Sequence, residues 1–231
     1  MYTVDMSETG ILSLVATPIG NLEDMTYRAV RTLSQAEYIL CEDTRVTGKL
    51  LQRYEITSKM KRYDAHASER THDSVVADVL AGKRIALVSD AGTPGVSDPG
   101  VLLVQQLRAA GGQIEVIPGP SAVIAAVSLA GFTGNQFMFL GFVPQKKGRE
   151  TFFTSLATRE IPVVFFESTH RIVKALQQLL IALPDKTIYV ARELTKLHEE
   201  CLIGSPSEIL EILEATPVKQ KGEFVIIVDP R

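Results

Sequence analysis

The sequence predicts an α/β protein of two domains, a parallel-sheet N-terminal domain and a mixed-sheet C-terminal domain. In the first half, short apolar strands alternate with helical patterns, and repeated βα units with short connections favour a parallel sheet. In the second half, one connection between strands has no helical periodicity, which is typical of an antiparallel hairpin. We predict domains over 1–119 and 120–231, with a binding cleft between them.

The strands of the first half are short, apolar and rich in β-branched residues. They are LSLVAT (12–17), YILC (38–41), RIALVS (84–89) and QIEVI (113–117). Helices are predicted from about Thr26 and through GKLLQRY (48–54). Another helix is predicted to open with Asp98 as N-cap and Pro99 at the first helical position.

The second half has four clear strand patterns and a fifth, shorter one in HEECLIG. The four are FMFLGF (137–142), PVVFFE (162–167), TIYVARE (187–193) and EFVIIV (223–228). An apolar stripe predicts a helix over 172–183. A second helix begins with a capping box, in which Ser205 is followed three residues later by Glu208. The connection TK…HEE lacks a helical pattern and predicts the hairpin.

Composition is that of a globular protein, with 45% hydrophobic and 22% charged residues among 231. The net charge of −3 argues against non-specific coating of nucleic acid, although local basic patches remain compatible with it. Neither a secretory signal nor a membrane-spanning run is predicted. Two isolated cysteines, Cys41 and Cys201, suit a reducing cytoplasm.

Four predicted strands end in clusters of glycine or proline. The clusters are ATPIGNL (16–22), SDAGTPGVSDPG (89–100), IPGPSA (117–122) and LGFVP (140–144). Any one of them fits an ordinary turn. If the strands are parallel, however, the four clusters converge on one rim, where ligands of open α/β sheets bind. Gly92 and Gly95 would let a ligand approach the backbone closely.

Several familiar site classes lack their signature. The turn after the first strand, TPIGNLED, has one glycine instead of the dinucleotide-binding fingerprint, although Glu42 could imitate its ribose-binding acid. A phosphate-binding P-loop and a G-x-S-x-G nucleophile elbow are also absent from the sequence. The four histidines lack the paired spacing of zinc sites, so we predict no metal.

Eight segments, in order, resemble the small subunit methyltransferase I family, the 16S ribosomal RNA 2′-O-ribose methyltransferases of the tetrapyrrole methylase superfamily. They are TPIGNLEDMTYRA, CEDTRVTGKLL, LVSDAGTPGVSDPG, IPGPSA, GFVPQKKGR, FFESTHR, ARELTKLHEE and KGEFVIIV. The resemblance implies a homodimer of two-domain subunits that bind S-adenosylmethionine in the interdomain cleft. It also implies methylation of a cytidine ribose in the decoding region of small-subunit ribosomal RNA, free or in the assembled 30S subunit.

The resemblance and the strand-end loops together assign the cofactor contacts. In the N-terminal half and at the domain boundary they are Pro18, Gly20, Ser89, Asp90, Ala91, Gly92, Thr93, Pro94, Ser121 and Ala122. In the second domain they are Arg192, Glu193, Leu194, Gly222 and Glu223, which we expect to close over the adenosine.

The methyl of a sulfonium is already activated, so alignment and removal of the hydroxyl proton are the remaining tasks. Asp43 and Glu167, both at strand ends, are the candidates for the base or for ribose positioning, although such carboxylates also serve as helix caps or arginine partners. Lys196 could neutralise a phosphate or lie solvated. The candidates for RNA contact are Arg45, Lys146, Lys147 and Arg149.

Two alternatives stay open at this point. A tetrapyrrole carbon methylase of the same superfamily would need a deep arginine-lined trough for an acidic macrocycle instead of a basic rim. A non-catalytic RNA-binding factor in ribosome assembly would have lost turnover, against which the intact cofactor loops argue. Transfer of a labelled methyl group separates the enzyme from the factor.

Overall fold

The computed structural model describes residues 10–98, 100–131 and 135–230. The chain folds into two compact units that divide between Ser121 and Ala122. Each unit has a sheet of its own with helices packed on it, which confirms the α/β class.

The sheet of the first unit is parallel throughout its described strands, as predicted. Its strands are β1 (Ile11–Val15), β2 (Tyr38–Cys41), β3 (Lys59–Arg62), β4 (Arg84–Leu87) and β5 (Gln113–Ile117). Their order across the sheet is β3-β2-β4-β1-β5. Ile11 is opposite Arg84 on one side and Gln113 on the other, so β1 lies between β4 and β5. The carboxyl ends of β4, β1 and β5 are therefore neighbours.

Helices connect these strands. They are α1 (Tyr27–Gln35), α2 (Thr44–Arg53), α3 (Glu69–Leu80) and α4 (Val101–Ala109), with a short 3₁₀ helix at Leu22–Asp24. Thr26, Asp43 and Ser68 cap α1, α2 and α3 by accepting hydrogen bonds from backbone N–H groups of the first turn. These bonds satisfy donors that a helix cannot pair internally.

The start of α4 differs from the prediction. Its N-cap is Gly100, with φ of +122° and no side-chain cap, so the assignment of Asp98 as N-cap is wrong. A Cβ at Gly100 would come within 2.6 Å of Leu87 Cδ2. The close packing of this turn on β4 and its positive φ both require glycine there. Pro99 lies outside the described residues.

The sheet of the second unit is mixed, which also confirms the prediction. Its described strands are β6 (Met138–Phe142), β7 (Val163–Ser168), β8 (Ile188–Arg192), β9 (Glu200–Gly204) and β10 (Glu223–Val228). The order is β6-β7-β10-β8-β9, in which β6 and β7 are parallel and the other pairs are antiparallel. β8 and β9 form the predicted hairpin.

The described helices of this unit are α5 (Ala122–Ala130), α6 (Arg149–Leu156), α7 (Ile172–Ala182) and α8 (Pro206–Ala215), with a 3₁₀ helix at Pro217–Gln220. The capping box of Ser205 and Glu208 at α8 is confirmed. The stripe of α7 is buried through Ile172, Leu176 and Leu179. Neither α5 nor α6 was predicted. No described helix combines the length and the apolar character needed to cross a membrane.

Candidate functional site

Three of the four glycine and proline clusters lie together at one edge of the first sheet. They follow β1, β4 and β5, which are neighbouring parallel strands. The fourth cluster follows β6 and belongs to the second sheet, so the argument from parallel strands does not extend to it. We call the three loops 16–22, 88–98 and 118–121 the rim of the first unit.

Main-chain hydrogen bonds join two loops of the rim. The N–H of Thr17 donates to the carbonyl of Gly92 at 2.9 Å, and the N–H of Gly92 donates to the carbonyl of Thr17 at 3.0 Å. The Thr17 hydroxyl also donates to the Ser89 carbonyl, and the Ser89 hydroxyl to the Ala91 carbonyl. Gly92 has φ of +76°. Glycine at position 92 therefore allows the backbone conformation that joins the two loops. The N–H and the carbonyl of Gly92 are both used in the bonds with Thr17.

The third loop packs closely on the end of β1. A Cβ at Gly119 would lie 3.0 Å from the Ala16 Cβ. The exposed residues of the rim are Gly20, Asn21, Leu22, Asp90, Ala91, Val96, Ser97, Pro118 and Gly119. Three of them, Gly20, Ala91 and Gly119, have no side chain larger than a methyl group and leave their main chain accessible. Pro18 and Pro94 are buried, while Thr93 and Ser121 are half-buried.

Asp43, predicted as a base, caps helix α2. Its carboxylate accepts from the backbone N–H of Arg45 at 2.8 Å and pairs with the Arg45 guanidinium at 2.6 Å. Hydrogen bonds from the Arg45 side chain and backbone hold the pKa of Asp43 well below its ordinary value. Because a carboxylate with a lowered pKa is a weak base, this geometry supports the capping role and disfavours proton abstraction.

Two other carboxyl groups at the same edge have raised pKa values. The pKa of Asp98 is raised from its ordinary 3.8 to about 6, and burial is the largest cause. The negative charges of Glu42 and Asp90 also raise this pKa, whereas a hydrogen bond with Ser89 lowers it. The pKa of Glu42 is raised by burial and then by Asp90. Asp90 Oδ1 accepts from the N–H of Asp43 at 3.0 Å, which ties the loops after β2 and β4 together.

Sequence reasoning missed Asp98 as a candidate for proton transfer, and it preferred Asp43 and Glu167 to Glu42 among the strand-end acids. It assigned Asp98 to a helix cap, and it also compared Glu42 with the ribose-binding acid of a dinucleotide motif. The signal that could have found them is their shared position: Glu42 follows β2 and Asp98 lies in the loop after β4, and these strands are neighbours in the sheet. A group that titrates near neutral pH at such an edge is suited to acid–base chemistry.

The loop between β8 and β9 holds Lys196 between two carboxylates. Its Nζ lies 2.8 Å from Glu193 Oε1 and 3.0 Å from Glu223 Oε2. Burial lowers the pKa of Lys196, but the hydrogen bonds to the two glutamates outweigh it, and the net pKa is raised. Lys196 is therefore an ammonium ion at neutral pH and cannot act as a base, which leaves charge neutralisation as its predicted role.

Backbone strain marks the same loop. Glu193 and Thr195 have positive φ values of 51° and 66°, which non-glycine residues seldom adopt. Gly222 approaches Glu193 so closely that a Cβ there would lie 2.6 Å from Glu193 Cγ. The Thr169 hydroxyl bonds both the N–H and the carbonyl of Gly222. Through these contacts, three of the predicted cofactor residues, Glu193, Gly222 and Glu223, lie next to one another. Leu194, which follows Glu193, is buried.

The guanidinium of Arg192 has a structural role. It is buried and donates to the carbonyls of Lys221, His198 and Val218 at 2.7, 3.2 and 3.3 Å. Arg192 thereby ties two connecting segments to the end of β8. Because the guanidinium is used in these bonds, the predicted cofactor contact of Arg192 is left to its main chain.

Glu167 and Arg149 are buried partners, which corrects two predictions. Glu167 Oε2 accepts from Arg149 Nη1 at 3.0 Å, and Glu167 Oε1 pairs with Arg171 Nη2 at 2.8 Å. The side chain of Glu167 is 0% exposed and that of Arg149 is 6% exposed. Glu167 is therefore no base for a ribose hydroxyl, and Arg149 is no surface contact for an RNA phosphate.

The other predicted RNA contacts are accessible. Lys146 and Lys147 are exposed in the segment before α6, and the Arg45 side chain is 87% exposed although paired with Asp43. Ala122, the last predicted cofactor residue, is the first residue of α5 and half-buried. Over the described part of the chain, no group of three or more His, Cys, Asp or Glu side chains is arranged to hold a metal ion.

Comparisons with known proteins agree with this architecture. The family model described as Tetrapyrrole (Corrin/Porphyrin) Methylases matches residues 12–210. A protein of Thermotoga maritima named ribosomal RNA small subunit methyltransferase I is 40% identical, over 95% of this chain and 98% of its own. A Halalkalibacterium halodurans protein of the same name is 41% identical, over 96% of this chain and 76% of its own.

Among solved structures, a cobalt precorrin-4 methyltransferase of cobalamin biosynthesis matches with a TM-score of 0.72. The two chains are 17% identical, and the match covers 99% of this chain and 98% of the other. At that identity the likeness supports the fold alone.

Proposed function

The chain belongs to the tetrapyrrole methylase family and is a methyltransferase, and from that premise we propose that it methylates the 2′-hydroxyl of a cytidine ribose in small-subunit ribosomal RNA, with S-adenosylmethionine as donor. The names of the relatives at 40% and 41% identity support the ribosomal substrate. Tetrapyrrole carbon methylation is the weaker alternative, because the tetrapyrrole enzyme matched by structure shares only 17% identity.

The observation that carries the proposal is the rim of the first unit. Two of its loops join through main-chain bonds between Thr17 and Gly92, the third packs on Ala16 through Gly119, and residues with little or no side chain are exposed at Gly20, Ala91 and Gly119. Such a surface suits a donor with many polar atoms that peptide groups recognise. The carboxylates of Asp90, Glu42 and Asp98 at the same edge suit a donor with a positive charge.

When bound, the donor supplies an activated methyl group. The protein must align the ribose oxygen with it and receive the hydroxyl proton. We assign the proton to the carboxylate of Asp98, since its pKa of about 6 leaves it ionised at neutral pH yet more basic than an ordinary aspartate.

RNA binding needs cations that pair with phosphates, and Lys146 and Lys147 are the exposed pair that we assign to this contact. We place the reaction in the cytoplasm, where the free cysteines Cys41 and Cys201 would stay reduced. Homodimer formation, implied by the family resemblance, stays a prediction, which sedimentation analysis tests.

The test is methyl transfer from labelled S-adenosylmethionine. The acceptors are small ribosomal subunits, and separately their free RNA, from cells that lack the enzyme; subunits from cells that contain it are the control. Label on one cytidine ribose, resistant to alkaline cleavage of the adjacent phosphodiester, supports the proposal. Label on a porphyrinoid but not on RNA would support the tetrapyrrole alternative, and binding of RNA without any transfer would support the assembly factor.

A further inference from the structure

Glu167 lies at the centre of a buried ion-pair network in the second unit. Arg149 and Arg171 pair with its two carboxylate oxygens, and the Ser168 N–H donates to Oε1 at 2.8 Å. Arg149 Nε also donates to Gln178 Oε1 of α7 at 2.7 Å. Because buried ion pairs carry a large desolvation cost, net stability alone does not account for such a network.

Both arginines also bind the start of the loop that connects β6 to α6. We call residues 143–148 the basic loop. Arg171 Nη1 donates to the Val143 carbonyl at 3.0 Å, and Arg149 Nη1 to the Pro144 carbonyl at 3.3 Å. At the other end of the loop, the N–H of Arg149 donates to the Lys146 carbonyl at 3.2 Å.

The basic loop is anchored at both ends and exposed between them. Val143 is buried, and its N–H donates to the Phe166 carbonyl of β7 at 3.3 Å. Gly148 has φ of +85° and caps α6. Between these anchors, Lys146 and Lys147 are exposed. The network therefore fixes the main chain that carries two neighbouring cations.

The charges of the network do not cancel. Two guanidinium groups share one carboxylate, and Arg149 Nη2 is buried without a hydrogen-bond partner among the described residues. The excess positive charge adds to the potential of the two lysines, and a low-dielectric surrounding screens it less than water would. Such a surface favours a polyanion.

We propose that the Arg149–Glu167–Arg171 network positions the basic loop so that Lys146 and Lys147 bind the phosphate backbone of the substrate RNA. This inference rests on the proposed RNA methylation. Within it, Arg149, Glu167 and Arg171 are positioning residues, and the two lysines make the contact.

The test variant is Arg171→Gln, which leaves Arg149 and Glu167 as a balanced pair. Lys174→Gln is the matched control, since it removes one positive charge from an exposed position on the same helix. Hydrogen exchange of the Val143 and Arg149 amides, whose N–H groups donate to the Phe166 and Lys146 carbonyls, is measured in the free protein. We expect it to be about tenfold faster in Arg171→Gln, because the bond to the Val143 carbonyl is lost, and unchanged in Lys174→Gln.

RNA binding is then measured at several salt concentrations. For Arg171→Gln we expect affinity for small-subunit RNA to fall about three- to thirtyfold, with the KM for S-adenosylmethionine unchanged. The slope of log affinity against log salt should fall by up to about 1.4, which corresponds to two single-strand phosphate contacts. In a Lys146→Ala/Lys147→Ala background, Arg171→Gln should have little further effect, because the contacts that it disturbs are already absent.

Unchanged exchange in a folded Arg171→Gln variant would overturn the inference, and so would faster exchange with unchanged RNA affinity. If that variant fails to fold, Arg171→Lys replaces it. Lysine keeps the charge, but its single nitrogen cannot take the places of Arg171 Nε, Nη1 and Nη2, which contact Ser168 Oγ, the Val143 carbonyl and Glu167 Oε1. A wild-type enzyme that binds no RNA would refute the proposed function instead. The exchange measurement stays separate from that result because it uses no RNA.

Discussion

Asp98 has the environment of a group that exchanges protons near neutral pH. Burial is the largest cause of its raised pKa, and the charges of Glu42 and Asp90 add to it. The hydrogen bond with Ser89 acts in the opposite direction but does not outweigh them. The folded chain therefore holds a proton on Asp98 between pH 3.8 and about 6, where an unfolded chain has released it.

We predict that Asp98→Asn stabilises the protein at pH 7 and not at pH 4. As pH rises through the window below 6, the folded wild type binds more protons than the unfolded chain, so its stability falls. Asparagine does not ionise and avoids this loss. Melting temperatures of both proteins from pH 4 to 8 check the prediction. A constant difference between them across that range would contradict it.

The same substitution should slow methyl transfer at pH 7 by about a hundredfold or more, if Asp98 receives the hydroxyl proton as proposed. In the wild type, kcat should fall below pH 6 as the carboxylate becomes protonated. Single-turnover rates across pH with saturating RNA measure both effects. Equal rates for the two proteins would remove Asp98 from the mechanism while leaving the stability prediction intact.

Residue roles were the least predictable feature of this sequence. Arg149 has the same sequence context as Lys146 and Lys147, yet its side chain is buried and theirs are exposed. The difference comes from Glu167, which lies 18 residues away and meets Arg149 only in the folded unit. No local pattern contains that pairing. A strand-end carboxylate and a cation in a basic run are therefore ambiguous until their tertiary partners are known.

At the scale of elements, the start of α2 raises the question of whether Asp43 serves as a helix cap or as a proton acceptor. Asp43 accepts from the backbone N–H of Arg45, which a capping residue does in any helix. The carboxylate also faces the positive end of the helix dipole. The proton-acceptor role predicted for Asp43 therefore competes with a structural role that the geometry satisfies.

We predict that Asp43→Asn changes little and that Asp43→Ala destabilises the protein without slowing the chemistry. Asparagine still offers an oxygen to the N–H of Arg45, whereas alanine removes the cap at a cost of about 1 kcal/mol. Both variants should keep kcat within about twofold of wild type. Urea unfolding and methyl-transfer rates are the measurements. A large loss of kcat in Asp43→Asn would restore Asp43 as a base.

Elements with a strong local pattern were predicted correctly, and those without one were missed. The hairpin of β8 and β9 and the capping box of Ser205 and Glu208 have such patterns. Strand β3, with sequence KMKR, has all four residues exposed at a sheet edge and no apolar alternation. Its charges are typical of edge strands that avoid pairing with other chains.

At the scale of the whole molecule, strand order determines which loops can share a site. Sequence reasoning placed four clusters on one rim on the condition that the strands before them are parallel. The first sheet brings three of them together, through the order β4-β1-β5. The fourth belongs to a sheet with its own hydrophobic core, around Phe165 and Leu176. Strand order depends on long-range packing, and alternation of apolar residues does not encode it.

Donor binding to the rim should appear in the stability of the whole molecule. A ligand that binds only the folded chain stabilises it by about 2.7 kcal/mol at a hundred times its Kd. For a chain of this length, that corresponds to a rise in Tm of about 5–10 °C. We expect S-adenosylmethionine to produce such a rise in the wild type and Gly92→Ala to abolish most of it.

Gly111→Ala is the matched control for that loss. Gly111 and Gly92 both have φ of +76°, so alanine strains the backbone equally at the two positions. Gly111 has no atom within 4 Å of an added Cβ and lies in the turn between α4 and β5, whereas Gly92 joins two loops of the rim. Both variants should lose stability without the donor, because alanine disfavours positive φ. Only Gly92→Ala should lose the donor-induced rise in Tm, and an equal rise in both variants would mean that the donor binds elsewhere.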